Sequence, residues 1–93
     1  MRAIVSVIGK DKKGIIARVS SALYKRNINI MDISQTILEK YFTMIMITNL
    51  NEMTISFTDL AAELDKLAQE IGVSIKIQHQ DFFDAMHNID KEQ

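Results

Sequence analysis

The order of hydrophobic and polar positions predicts a strand and then a helix at the start of the chain. Residues 3–8 form a short run rich in β-branched side chains, which is typical of a strand. From residue 14 to about residue 25 the apolar positions recur at helical spacing. Asn27 then supplies a stop signal for this helix. The polar residues between the two elements form a loop.

A hairpin and a second helix follow. Residues 28–38 and 41–48 predict two strands, which the short polar segment between them joins as a hairpin. Ser56 and Asp59 have the spacing of a capping box, with the aspartate a weaker choice than glutamate. Apolar residues then trace one face of a long helix. Gly72 marks its end, because glycine adopts the left-handed conformation that helix ends require.

A fourth strand and a terminal helix complete the pattern. Apolar and polar residues alternate over 73–78, and a short helix is predicted over 81–89. The order β-α-β-β-α-β predicts an α+β, ferredoxin-like fold, in which a four-stranded antiparallel sheet carries two helices on one face. We therefore interpret residues 1–93 as one domain, with its core in residues 2–80.

The two hairpin strands are apolar on both faces, so one sheet face lacks a cover. A single helical layer covers only one face, and a bare apolar face marks an interface. We expect a homodimer or a larger assembly; in the alternative, the C-terminal helix folds back over this face in a monomer. The interface residues assigned on this basis are Met31, Ile33, Phe42, Met44, Met46, Phe83 and Met86.

Composition narrows the classes of function. The 93 residues carry a net charge of -1, whereas nucleic-acid binders usually have a basic excess. The chain has no cysteine, which excludes disulfides, thiolate metal sites and a thiol nucleophile. His79 and His87 do not have a metal-binding spacing, so we expect no metal and no cofactor. With no span of roughly 20 apolar residues and no signal peptide, we expect a cytoplasmic protein that does not enter membranes.

The segment GKDKKGII, residues 9–16, is the candidate for binding chemistry. A strand–loop–helix corner directs backbone N–H groups and the positive end of a helix dipole to one point, where an anion is stabilised. Gly14 permits either a plain turn or the close approach of a ligand. Asp11 either caps the helix or pairs with an ammonium group. The neighbouring lysines either attract an anion or form a solvated loop.

These residues resemble a known family. The first strand ends at Gly9, and Asp11, two further residues, Gly14 and an aliphatic-led helix follow, as in ACT domains. The segment NINI at 27–30, with the later Ser34 and Gln35, is similar to the second-strand pattern of that family. ACT domains are small regulatory modules that commonly bind amino acids. The resemblance covers about residues 2–80.

The tail at residues 77–89 is similar to a narrower group within that family. It resembles the small stand-alone ACT proteins that are related to the glycine-cleavage regulatory protein and to the ACT domain of formyltetrahydrofolate deformylase.

The resemblance implies a ligand site at the loop before the first helix, often at a subunit interface. Asp11 would bind the α-amino group, and the backbone around residues 13–15 would bind the carboxylate. Asn29 would reach the ligand from the neighbouring strand or subunit. Lys13 replaces a proline found in many relatives, which loosens the free loop. The implied ligand-binding residues are Asp11, Lys12, Lys13, Gly14, Ile15, Asn29 and Ile30.

Two functions remain open. The first is a stand-alone regulatory module that binds a small amino acid and signals through its oligomer or a partner protein. The alternative is a protein-interaction module with no small ligand. An enzyme is not expected, because an acylphosphatase on this fold needs an arginine in the loop after strand 1, where this chain has only lysines. RNA binding is also not expected, since strand 1 has no aromatic residue.

Overall fold

A computed structural model describes residues 1–10 and 13–91, with side chains for all of these except Leu38 and residues 86–91. The predicted order of elements is confirmed, and every boundary lies within two residues of its predicted place. The terminal helix starts one residue before and ends two residues after the predicted 81–89. The elements are β1 (Arg2–Lys10), α1 (Ile15–Lys25), β2 (Asn29–Leu38), β3 (Tyr41–Asn49), α2 (Phe57–Ile71), β4 (Ser74–His79) and α3 (Gln80–Lys91).

The four strands form one antiparallel sheet in the order β2-β3-β1-β4. The register of the central pair runs from Arg2 opposite Asn49 to Lys10 opposite Tyr41. At the Lys10–Tyr41 end of the sheet, Tyr41 also pairs with Leu38, the last residue of β2. The β1–α1 loop and the β2–β3 turn therefore lie at the same end of the sheet. This arrangement is the ferredoxin-like fold that the sequence predicts.

The core lies between the inner face of the sheet and helices α1 and α2. Val5 and Val7 of β1 pair with Met46 and Met44 of β3, so these four side chains share one face. All four are fully buried. Burial of these side chains removes apolar surface from water, which stabilises the fold by about 1.5–3 kcal/mol for each large one. The helices contribute Val19, Leu23, Leu60, Leu64, Leu67 and Ala68 to the same cluster.

The helix boundaries follow the signals in the sequence. Ser56 Oγ accepts a hydrogen bond of 3.0 Å from the backbone N–H of Asp59, which confirms the N-cap of α2. Gly72 ends this helix with a φ of 71°. Asn27 follows α1 with a φ of 60°, in the left-handed region that asparagine tolerates better than most residues. Gly72 and Asn27 each lie where the chain reverses before the next strand.

The outer face of the sheet is partly covered by α3. Ile4 lies on this face, yet only 4% of its surface is exposed. The contacts of α3 with β1 and β4 account for that burial. At the opposite end of the same face, Ile8 remains 51% exposed and Tyr41 45% exposed. The C-terminal helix thus covers one end of this face within the chain and leaves the other end open.

Strand β2 contains a register shift that the sequence pattern does not reveal. Ile30 pairs with Thr48 and Asp32 with Ile47, so Met31 is an extra residue in β2. The shift places Ile30 and Ile33 on the same, inner face. Simple alternation along the sequence predicts that Met31, Ile33 and Ile37 share the face opposite Ile30, and the shift makes this prediction wrong.

Three of the assigned interface residues belong to the core. Phe42, Met44 and Met46 point to the inner face of the sheet and are buried beneath the helices. Strand β3 is apolar on both faces, as the sequence predicts, but these three residues lie on the face that the helices cover. Met31 and Ile33 are exposed on β2, and Phe83 is half-buried. The side chain of Met86 lies outside the described residues.

Candidate ligand-binding site

Among the described residues, the first backbone N–H groups of α1 have no hydrogen-bond acceptor at the end of the sheet that carries the β1–α1 loop. Gly14 is the N-cap of α1, with a φ of 85°, and no described side chain caps this helix. The first helical hydrogen bond goes from the Arg18 N–H to the Gly14 carbonyl at 2.9 Å. The N–H groups of residues 15–17 therefore have no acceptor within the helix. They form the positive end of the helix dipole. Lys13 and Gly14 are exposed beside them, whereas Asp11 and Lys12 lie outside the described residues.

The left-handed conformation of Gly14 explains why this position is glycine. A Cβ atom built there meets no atom of the described residues within 4 Å, its chain neighbours aside. The conformation therefore selects glycine without any need for close packing inside the chain. The open space beside Gly14 also leaves the backbone accessible from outside.

An apolar groove continues from Gly14 between α1 and β2. Its volume is about 640 Å³, which is within the range of small-molecule sites. Ile37 on its wall is 64% exposed. The groove is open along the edge of β2, the first strand in the sheet order. It is lined by Gly14, Ile15, Ile16, Ala17, Ser20, Gln35, Ile37 and Phe42.

Asn29, with its neighbour Ile30, lies at the opposite end of the molecule from the loop. Asn29 pairs with Asn49, whereas Lys10 at the start of the loop pairs with Tyr41. These two rows of the sheet are eight residues apart along β3, which corresponds to about 27 Å. One chain therefore does not bring Asn29 and the Gly14 loop to the same small ligand. Contact from a neighbouring subunit, the second alternative for Asn29, fits this separation and stays a prediction.

A second polar concavity, which the sequence does not predict, surrounds Asn29. This amide cleft has a volume of about 420 Å³. The signal in the sequence is the recurrence of asparagine next to β2 and β3, but only the sheet register brings these residues together. The amide cleft is lined by Tyr24, Asn27, Ile28, Asn29, Asn49, Asn51 and Glu52.

The described part of the chain shows no group of three or more histidine, cysteine or acidic side chains that would hold a metal ion. Among the same residues, no helix has the length and apolar character needed to span a bilayer.

Comparison with known proteins identifies the family. The model of the ACT domain matches residues 2–78. A UPF0237 protein of Clostridium acetobutylicum is 54% identical over 89 residues, which cover 96% of this chain and 100% of that protein. An ACT domain protein from Streptococcus pneumoniae superposes with a TM-score of 0.80 at 43% identity, covering 89% of this chain and 93% of that chain. The chain belongs to the ACT domain family.

A further solved structure confirms the ACT fold at low sequence identity. A formyltetrahydrofolate deformylase from Pseudomonas putida matches with a TM-score of 0.73 at 10% identity, over 84% of this chain and 28% of that chain. The family model over residues 2–78 confirms the resemblance expected from the β1–α1 loop and the second strand. ACT domains are typically regulatory modules that bind small ligands such as amino acids.

Proposed function

We propose that this ACT domain is a regulatory, non-catalytic module that binds an amino acid between two copies of the chain. The observation that carries the proposal is the separation of its two candidate ligand-binding regions. Lys10, where the loop begins, and Asn29, at the start of β2, lie at opposite ends of the sheet, about 27 Å apart by the rise of the strands. A second copy is needed to bring the two regions together.

The loop supplies the chemistry for the backbone of the amino acid. The uncapped N–H groups at the start of α1 suit a carboxylate, because they donate to it and the helix dipole stabilises its charge. Asp11 follows β1 directly in the sequence and is proposed to bind the ammonium group. Lys12, Lys13 and Ile15 complete this half of the site.

The exposed edge of β2 is the surface proposed for the second copy. It has ten residues, with Asp32 as its single charged residue and no proline. Edge strands that stay unpaired usually carry lysine or proline or are short, as β4 is with six residues and Lys76. Met31 and Ile33 on β2 add exposed apolar surface. The edge of β2 therefore suits antiparallel pairing with another β2 better than the edge of β4 does.

Such pairing is two-fold symmetric, so it reverses one copy against the other. The start of β2 in one chain then lies beside the end of β2 in its partner. Asn29 and Ile30 of each copy approach the Gly14 loop of the other copy. A ligand held there contacts both chains and stabilises the pair over the separate copies, which couples ligand concentration to assembly. A regulated protein that recognises only one of these states would receive the signal.

A thermal-shift screen against the twenty amino acids tests the proposal. At about one hundred times its dissociation constant, a ligand adds about 2.7 kcal/mol to the stability. For a domain of this size, that raises Tm by about 10 °C or more. Both Asp11→Ala and Asn29→Ala should abolish the shift. The control Asp65→Ala, at an exposed position of α2, should retain it.

No shift with any amino acid would contradict the proposal and favour the alternative, an interaction module without a small ligand. The open end of the outer sheet face supports that alternative, because Ile8 and Tyr41 are exposed there. Capture of a partner protein that is lost in Tyr41→Lys would then be the expected result.

A further inference from the structure

The amide cleft has a chemical character different from that of the Gly14 loop. It lies where the end of α1 meets the start of β2 and the end of β3. Asn27, Asn29, Asn49 and Asn51 all line it, together with one carboxylate, that of Glu52. No lysine or arginine is among its lining residues. The cleft therefore favours groups that form hydrogen bonds, and Glu52 and the Met1 ammonium group bonded to Asn51 place one charge of each sign beside it.

Three hydrogen bonds hold the amides of the cleft, and in one of them the Met1 ammonium group donates to Asn51 Oδ1. Asn27 Nδ2 donates to the backbone carbonyl of Glu52 at 3.1 Å. Asn49 Oδ1 accepts from the backbone N–H of Asn51 at 2.9 Å. The bond of Asn27 engages the donor end of its amide, and the bond of Asn49 engages the acceptor end of its amide. They leave a carbonyl oxygen at Asn27 and an NH₂ group at Asn49 for a ligand.

A ligand group that both donates and accepts matches this arrangement. Primary amides and hydroxyls do so without a charge. An apolar group would remove the asparagine amides from water without replacing their hydrogen bonds, which lowers affinity. A carboxylate would meet Glu52 and lacks a donor for the Asn27 oxygen.

We propose that the amide cleft is the specificity pocket of the ligand site and selects amino acids with neutral amide or hydroxyl side chains. The inference rests on the proposed function, because two-fold pairing of β2 sets the amide cleft of one copy beside the Gly14 loop of the other. The loop then holds the α-carboxylate and α-ammonium groups, which all amino acids share. The cleft of the partner subunit reads the side chain.

Isothermal titration of the full chain with individual amino acids tests this selectivity. The probes are glutamine, asparagine, serine and threonine, with leucine, aspartate and lysine for comparison. At least one of the four neutral polar amino acids should bind about tenfold or more tightly than leucine, aspartate and lysine do. One unpaired buried amide costs about that factor in affinity.

The variant Asn49→Asp separates the cleft from the rest of the site. A carboxylate oxygen still accepts the hydrogen bond from the Asn51 N–H, so the fold is retained, but the NH₂ donor is lost and a negative charge is added. The affinity for the preferred neutral amino acid should fall about tenfold or more, and lysine should bind more tightly than before. Gln69→Glu makes the same chemical change at an exposed position of α2 and should alter neither affinity.

The outcomes distinguish this inference from the proposed function. Tightest binding of leucine, aspartate or lysine, with no effect of Asn49→Asp, overturns the specificity pocket and leaves the proposed function standing. Binding of none of the seven probes overturns the pocket, and the wider thermal-shift screen then decides the proposed function separately.

Discussion

At the scale of single residues, two glycines of the β1–α1 region are needed for different physical reasons. Gly9 packs closely against Val73, since a Cβ atom at position 9 would lie 2.5 Å from Val73 Cγ1. Gly14 has open space around it but a φ of 85°. The sequence shows both glycines at element boundaries. It does not tell crowding from backbone conformation, because that depends on where Val73 lies in the fold.

The crowding at Gly9 predicts a stability change that a second substitution relieves. Gly9→Ala should lower the free energy of unfolding by about 1–3 kcal/mol, because a methyl group would overlap the stiff side chain of Val73. Val73→Ala in the same chain should recover part of this loss relative to Val73→Ala alone. Urea denaturation of the four proteins measures the coupling, and additive effects would contradict the contact.

The left-handed conformation of Gly14 predicts a loss of stability on substitution that comes from backbone strain and not from crowding. Gly14→Ala should lower the free energy of unfolding by about 1–2 kcal/mol, since an L-residue is strained at this φ. Urea denaturation measures it, with Ala17→Gly as the control on the exposed first turn of α1. An unchanged stability of Gly14→Ala would show that the loop adopts another conformation.

At the scale of elements, local signals determine the helices better than they determine β2. Ser56, Gly72 and Asn27 act on their immediate neighbours, so their roles could be read from the sequence. The extra residue at Met31 arises from pairing between β2 and β3 and carries no local signature. This is why the boundaries of β2 were predicted correctly while the faces of its side chains were not.

The N-cap of α2 predicts opposite effects of one chemical change at two positions. Ser56→Ala should destabilise the protein by about 1 kcal/mol, because the N–H of Asp59 loses its acceptor. Ser21→Ala on the exposed surface of α1 should be neutral or slightly stabilising, since alanine has the higher helix propensity. Thermal denaturation compares them, and equal effects would contradict the cap.

The ion pairs between the two helices should contribute little to stability. Arg18 lies 3.1 Å from Glu70, and both side chains are about half exposed. Glu70→Gln should change the free energy of unfolding by less than about 1 kcal/mol, because solvent screens the pair. Urea denaturation at low and high salt measures it; Leu64→Ala in the core should cost about 2–5 kcal/mol at either salt concentration. A larger effect of Glu70→Gln would contradict this ranking.

At the scale of the whole molecule, the proposed function makes the ligand site depend on assembly. The sequence predicts the fold and both candidate regions, Gly14 and Asn29, but sequence proximity does not show that they lie at opposite ends of the sheet. The amide cleft was missed for the same reason, since Asn29 and Asn49 become neighbours only through pairing of β2 with β3. The local sequence pattern does not determine the face that a side chain occupies, or the distance between two residues, when these depend on long-range strand pairing.

Pairing through β2 predicts that a charge on this edge dissociates the assembly. Ile37 is 64% exposed, so Ile37→Lys should leave the fold of the single chain intact. Lysine on an edge strand opposes strand pairing, and the dimer dissociation constant should rise about tenfold or more. Sedimentation velocity measures it, with Ala62→Lys on the exposed face of α2 as the control. An unchanged dimer in Ile37→Lys would place the interface elsewhere.

The most direct test of the central claim is subunit complementation. Asp11→Ala and Asn29→Ala chains, each inactive in binding alone, are mixed and refolded together. Calorimetry then measures the fraction of sites that bind the amino acid identified in the screen. A site shared between two chains predicts recovery of about one quarter of the sites, because half of the pairs are mixed and each mixed pair has one intact site. No recovery after mixing would contradict the account, since it would place both residues at a site within one chain.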